Sequence, residues 1–174
     1  TLILQDGATN LGSVAFNFSL GSAVTQSATF ANNGAILIPN GAPAITSGMA
    51  SPYPSQINVT GLSGKISNVS VTLNNLSHAF PDDIDMLLVS PTGQAVQFMS
   101  DTGGNNAISN TTITFDDTGI PLTDSGMLVT GTYKPGDFGG AQDFFQPPAP
   151  AGPAGRGPSI AQPGASGWTG RAWG

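Results

Sequence analysis

The sequence predicts an all-β chain. Gly and Pro number 24 and 14, together 38 of 174 positions, while Glu is absent and Lys plus Arg total 4. That composition lacks the residues that favour helices and is rich in those that break them. No stretch holds an apolar period of 3.6 residues. Short segments in which apolar and polar residues alternate recur instead, bounded by Gly, Asn, Pro and Asp.

Taken in order, the first such segment is a short apolar run over 1–5 that ends at the turn signal Asp6-Gly7. Residues 14–20 then alternate, with Val14, Phe16, Phe18 and Leu20 on one face and Ala15, Asn17 and Ser19 on the other. This amphipathic strand either adds an edge to its own sheet or leaves its domain to complete a neighbour's sheet. Seven further strands are expected over 35–39, 56–59, 69–73, 84–89, 95–99, 111–115 and 127–132. Turns are expected at Asn40-Gly41, 61–64, 91–93, Gly103-Gly104 and 117–119. Seven or eight short strands at this spacing fit a sandwich.

The segment at 80–93, FPDDIDMLLVSPTG, is central to that pattern. Ile84, Met86 and Leu88 alternate with Asp83, Asp85 and Leu87, as in a strand with one face on a core. Three aspartates in four positions, Asp82, Asp83 and Asp85, repel one another. A bound cation is the simplest compensation.

Residues 35–153 resemble the P domain, or Homo B domain, of secreted kexin- and furin-type proteases, in its bacterial surface-protein form. The matching pieces are PYPSQINVTGLSG at 52–64, VSVTLNNLSHAFPDDIDMLLVSPTGQ at 69–94, FMSD at 98–101, TITFDDTG at 112–119 and SGMLVTGTYKP at 125–135. The resemblance implies a jelly-roll-like antiparallel β-sandwich, often calcium-binding and not itself catalytic. It divides the chain into an N-terminal extension over 1–34, a sandwich over 35–145 and a tail over 146–174. The family's closing strands are not matched. Members continue with an Asn-Gly-Thr-Trp strand, an acidic loop and a final Gly-Trp strand, of which Ser166-Gly167-Trp168-Thr169 is a faint echo.

The tail holds 6 Pro and 7 Gly in 29 positions, a composition that does not order itself. Fixing its backbone costs roughly 1–2 kcal/mol per residue, so anchors are needed. Trp168 and Trp173, the two tryptophans, are the expected ones. A sandwich without its closing strands leaves an open edge that templates association. Repeated donation of the strand at 14–20 between copies would build a filament.

Charge is unevenly spread. Residues 1–81 balance Asp6 against Lys65, residues 82–143 hold nine Asp and Lys134, and residues 144–174 hold Arg156 and Arg171. An acidic middle without a basic stripe argues against nucleic acid. Calcium takes six to eight oxygen ligands, and Asp82, Asp83, Asp85, Asp101, Asp116 and Asp117 all fall at expected strand ends or turns. These six are the candidate calcium ligands, supported mainly by the resemblance, with a solvated acidic rim as the alternative.

No catalytic motif accompanies them. The single histidine, His78, falls in an expected loop; no nucleophile elbow, phosphate-cradling loop, HExxH or Cys/His cluster occurs. The chain is therefore expected not to be an enzyme. Five Asn-Xaa-Ser/Thr sequons, at Asn17, Asn58, Asn68, Asn75 and Asn110, are frequent by chance in a chain this rich in those residues.

Cysteine is absent and no apolar run approaches the roughly 20 residues of a membrane span. The chain starts at Thr1 without a leader, so a signal peptide is expected to have been removed. An extracellular or cell-surface location follows from this reading and the resemblance. The first expected function is a secreted structural subunit that associates with copies of itself into a fibre or surface layer. The alternative is a calcium-binding accessory module of a larger secreted protease or adhesin.

Overall fold

The computed structural model describes residues 2–6, 8–14, 25–40, 48–139, 143–151, 155–156 and 171–173. Among them the regular structure is β, with one 3-10 turn at Pro81–Asp83. Eleven strands occur among the described residues: β1 Leu2–Asp6, β2 Thr9–Val14, β3 Ser55–Gln56, β4 Val71–His78, β5 Met86–Val89, β6 Ala95–Ser100, β7 Ile108–Ile120, β8 Gly131–Tyr133, β9 Gly136–Asp137, β10 Gly155–Arg156 and β11 Arg171–Trp173.

They form three sheets. β1 and β2 make an antiparallel hairpin around the Asp6-Gly7 signal, with Leu2 opposite Val14 and Asp6 opposite Thr9. β4, β7 and β8 form a second sheet, antiparallel between β4 and β7 and parallel between β7 and β8. The largest runs β10-β6-β5-β11-β3, with β9 pairing on β6 beside β10.

One core joins the second and third sheets. Leu76, Ile113, Phe115 and Tyr133 from one meet Met86, Leu88, Val96, Phe98 and Met99 from the other, closed by Ile84, Ile108, Leu122 and Leu128. Phe98 and Phe115 lie fully buried at its centre, edge to face, with ring centroids 5.0 Å apart. The T-shaped arrangement sets the positive edge of one ring against the negative face of the other.

β5 departs from the expectation of one buried face. All of Met86–Val89 is buried, because Leu87 and Val89 pack on a second cluster with Tyr53, Ala95, Phe145 and Ala149. The segment 143–151 thus covers the outer side of β5, and the Tyr53 hydroxyl donates to the Gln146 carbonyl at 2.8 Å. A strand buried on both faces reads as a continuous apolar run, which Met86-Leu87-Leu88-Val89 is.

Other strands shift from their expected bounds. Residues 35–39 form only an isolated bridge, Leu37 to Ser51. Met127 and Val129 lie before β8 and are exposed. The turn expected at 117–119 is instead a bulge within β7: Phe115 and Ile120 both face Tyr133, so the residues between them loop out. Turns with left-handed glycines stand where expected at Gly61, Gly64, Gly93, Gly103 and Gly104.

Two tail strands enter the large sheet. β10 lies against β6, and β11 sits between β5 and β3, with Trp173 opposite Leu87. The tail, expected to leave an edge open, instead supplies strands to the large sheet, one of them paired with β5. Trp173 belongs to this strand; Trp168, Phe16, Phe18 and Leu20 lie outside the described residues. Val14 is the last residue of β2, within the hairpin. No helix among the described residues is long and apolar enough to cross a membrane.

Candidate metal centre

Ser100 is the last residue of β6 and is fully buried. Its hydroxyl oxygen lies 2.8 Å from Asp85 Oδ1, 2.9 Å from Asp101 Oδ2 and 2.7 Å from Asp143 Oδ2. A serine hydroxyl carries a single hydrogen. One proton thus faces three carboxylate oxygens.

Each carboxylate arrives by a different route. Asp85 precedes β5, where the chain leaves the 3-10 turn; Asp101 follows β6 in a left-handed conformation, φ 47°. That φ turns the chain sharply at the strand end, a position aspartate tolerates better than most residues. Asp143 comes from the segment that crosses the outer side of β5, and the buried Gln97 side chain also donates to its Oδ2. One oxygen from each of the three lies within 4.8 Å of the other two.

The electrostatics are unfavourable for three ionised groups. The Asp85 carboxyl is pushed up to about 6, first by burial; the Ser100 hydrogen bond pulls it down, and Asp143, Asp101 and Asp137 push it up again. Asp137 stands opposite Ser100 in the β6–β9 register, and both its carboxylate oxygens are buried. Two unit charges about 4.8 Å apart repel by about 3 kcal/mol at an effective dielectric of about 20. A proton on Asp85 or a cation would relieve that repulsion.

The donor set suits a hard divalent ion. All three ligand atoms are carboxylate oxygens, without nitrogen or sulfur. Calcium–oxygen distances of about 2.3–2.6 Å place opposite ligands up to about 5 Å apart, and the three oxygens lie within 4.8 Å of one another. Gly139 packs against this group, and a Cβ there would overlap the Asp101 carboxylate.

Of the six aspartates expected to bind calcium, two stand in this cluster, Asp85 and Asp101. Asp83 ends the 3-10 turn and is exposed, because the alternation assumed to begin there starts only after the turn. Asp82 is half-buried and pushed up by burial, then by Asp101, Asp124 and Asp83, while the Gly104 N–H pulls it down. Asp116 and Asp117 lie in the β7 bulge and are not part of the three-carboxylate group. The Asp116 carboxylate accepts from the Thr118 N–H and hydroxyl and from Asn68 Nδ2, and the Thr118 hydroxyl is the largest cause of its lowered pKa.

Sequence reasoning missed Asp143 and Ser100. Asp143 sits in Gly-Gly-Ala-Gln-Asp-Phe-Phe, which has no periodic or turn pattern to mark it. Ser100 stands in the quoted FMSD motif, but its role depends on contacts 15 and 43 positions away.

His78 is not in a loop. It ends β4, is buried, and places Nδ1 2.6 Å from the Phe80 carbonyl and Nε2 2.7 Å from the Pro39 carbonyl. Both ring nitrogens are engaged by backbone, tying the segment before Asn40 to the end of β4.

Comparison of the chain with protein-family models, characterised proteins and solved structures returns no match.

Proposed function

We propose that this chain is a non-catalytic, calcium-binding module of an extracellular protein, with a P-domain-like, jelly-roll sandwich form. The single hydroxyl proton shared by three carboxylates around Ser100 carries this reading. Asp85, Asp101 and Asp143 would hold the ion, which supplies the positive charge that offsets their mutual repulsion. Asp143 follows β9 and leads into the segment that packs on Leu87 and Val89, so ligation would fasten that segment to the central sheet. The role is structural: the ion acts as a fastener between parts of the chain far apart in sequence.

Thermal unfolding of the full chain in calcium and in chelator tests the reading. A ligand bound only by the folded state raises stability by mass action. Equal midpoints in the two conditions would refute it.

A second reading is self-association into an extracellular fibre or surface layer by exchange of strands. It is favoured by the hairpin, since β1 and β2 pair only with each other among the described strands. A two-stranded ribbon is marginal alone and keeps two unpaired edges. Electron microscopy of native material tests this reading; dispersed monomers at all concentrations would contradict it.

A further inference from the structure

The buried ring of His78 stands between two carbonyl oxygens, with Nδ1 2.6 Å from that of Phe80 and Nε2 2.7 Å from that of Pro39. A neutral imidazole carries one N–H and donates to only one of them. In one tautomer Nδ1–H donates to Phe80, and the bare Nε2 faces the Pro39 oxygen. In the other Nε2–H donates to Pro39; Nδ1 then accepts the Phe80 N–H at 3.2 Å while the Phe80 oxygen stands closer still. Either way a nitrogen lone pair meets an oxygen lone pair at close range, and the two repel. An imidazolium carries two N–H groups and donates to both carbonyls.

The two carbonyls belong to parts of the chain far apart. Phe80 lies two positions past the ring and leads into the 3-10 turn, whereas Pro39 lies 39 positions before it. Pro39 ends a segment that reaches β3 through Asn32, whose Nδ2 donates to the Ser55 hydroxyl and the Gln56 carbonyl. Leu37 and Ser51 bridge that segment through a pair of backbone bonds, each 2.8 Å. Ile38 is half-buried on the core, but Leu37 is 71% exposed. A segment packed this lightly depends on its hydrogen bonds for its place.

The surroundings carry little other charge. Burial opposes charge on an imidazole, and carbonyl oxygens that accept from its N–H groups favour it. Segment 25–40, residues 102–115 and β4 apart from His78 itself hold no ionisable side chain. The acidic groups closest in sequence, Asp82 and Asp83, sit on the 3-10 turn after Phe80 and favour a cation; Lys65, the nearest lysine in sequence, is exposed.

We propose that His78 is a proton-operated latch holding the segment 31–39 to the end of β4: its imidazolium clasps both carbonyls, and loss of the proton releases one. Imidazole changes charge between about pH 5 and 8. The clasp is complete on the acid side of that range and loosens as pH rises. It shares no residue with the group around Ser100 and works without an ion.

The test measures hydrogen exchange at the Leu37 and Ser51 amides of the full chain in chelator, at about pH 5 and about pH 8, corrected for the intrinsic rate and taken relative to the amides of β7. Protection at the two amides should fall roughly tenfold towards the higher pH, as expected for loss of one charge-assisted hydrogen bond. In His78→Gln, which leaves Asp85 and the other carboxylates in place, the pH dependence should vanish. Protection that does not change with pH, or a change that survives in His78→Gln, would overturn the latch. Ring-nitrogen NMR of the unaltered chain is independent of how the variant folds. Both nitrogens should carry a proton at the lower pH and one at the higher, in step with the loss of protection. A ring with a single proton throughout, or one that titrates out of step with the two amides, would overturn the proposal as well.

Discussion

Asp143 and Ser100 stand 43 positions apart in sequence, yet their side-chain oxygens meet at 2.7 Å at the end of β6. That contact brings a third carboxylate to a hydroxyl already shared by Asp85 and Asp101. The same segment then covers Leu87 and Val89. Charge and packing are therefore coupled at one place.

The first prediction concerns pH. Asp85 has a folded-state pKa of about 6, above its unfolded value. The folded state binds the proton more tightly, so in chelator the stability contributed by Asp85 protonation is fully present below its unfolded pKa and is lost as pH rises through about 6. In calcium the proton competes with the ion, and the calcium-dependent gain should grow as pH rises through the same range. Unfolding midpoints measured from pH 4 to 8 in both conditions check the opposite slopes.

Charge removal should act differently on the two states. Asp85→Asn removes repulsion without changing side-chain size, so it should raise the midpoint in chelator and shrink the rise caused by calcium. Asp143→Asn should shrink that rise as well. Asp116→Asn combined with Asp117→Asn should leave it intact, because Asp116 is committed to Thr118 and Asn68. Calorimetric titration of calcium into each variant distinguishes these outcomes.

Gly139→Ala tests the geometry without altering a ligand. Its new Cβ would overlap the Asp101 carboxylate, forcing a displacement of the ligand or of the backbone behind it. Calcium affinity should fall, by roughly tenfold for each 1.4 kcal/mol of misplacement. Unchanged affinity would mean that Asp101 is not held as described.

The core carries a prediction independent of any ion. Phe98 and Phe115 are fully buried and in edge-to-face contact. Phe98→Ala should cost about 3–5 kcal/mol, measurable as a lower urea midpoint in calcium and in chelator alike.

Much of the sheet structure was legible because β-strands write a two-residue period. β5 and β6 fall within a residue or two of the expected bounds, as do the glycine turns at 61–64, Gly93 and Gly103-Gly104. The alternation at 127–132 misled because Met127 and Val129 stay exposed before β8. The bulge in β7 was read as a turn because Asp-Asp-Thr-Gly carries turn chemistry; Asp116 does make a local turn with Thr118, but the strand resumes after it. The tail strands escaped detection because they are two and three residues long and take their order from β6, β5 and β3.

The cluster was half legible. A local excess of aspartate pointed to Asp85 and Asp101, since like charges in a short span require compensation. The third carboxylate lies beyond β9, and no spacing rule connects it to the first two. Asp83, Asp116 and Asp117 carried the same local signal and are placed elsewhere by a 3-10 turn and a bulge.

The measurement that bears most directly on the central claim is calcium titration of the chelator-treated full chain at pH 7.5, followed by thermal unfolding. The account predicts saturable binding of one ion and a midpoint that climbs with calcium concentration beyond saturation, as mass action requires. No heat of binding together with a midpoint indifferent to calcium would contradict it.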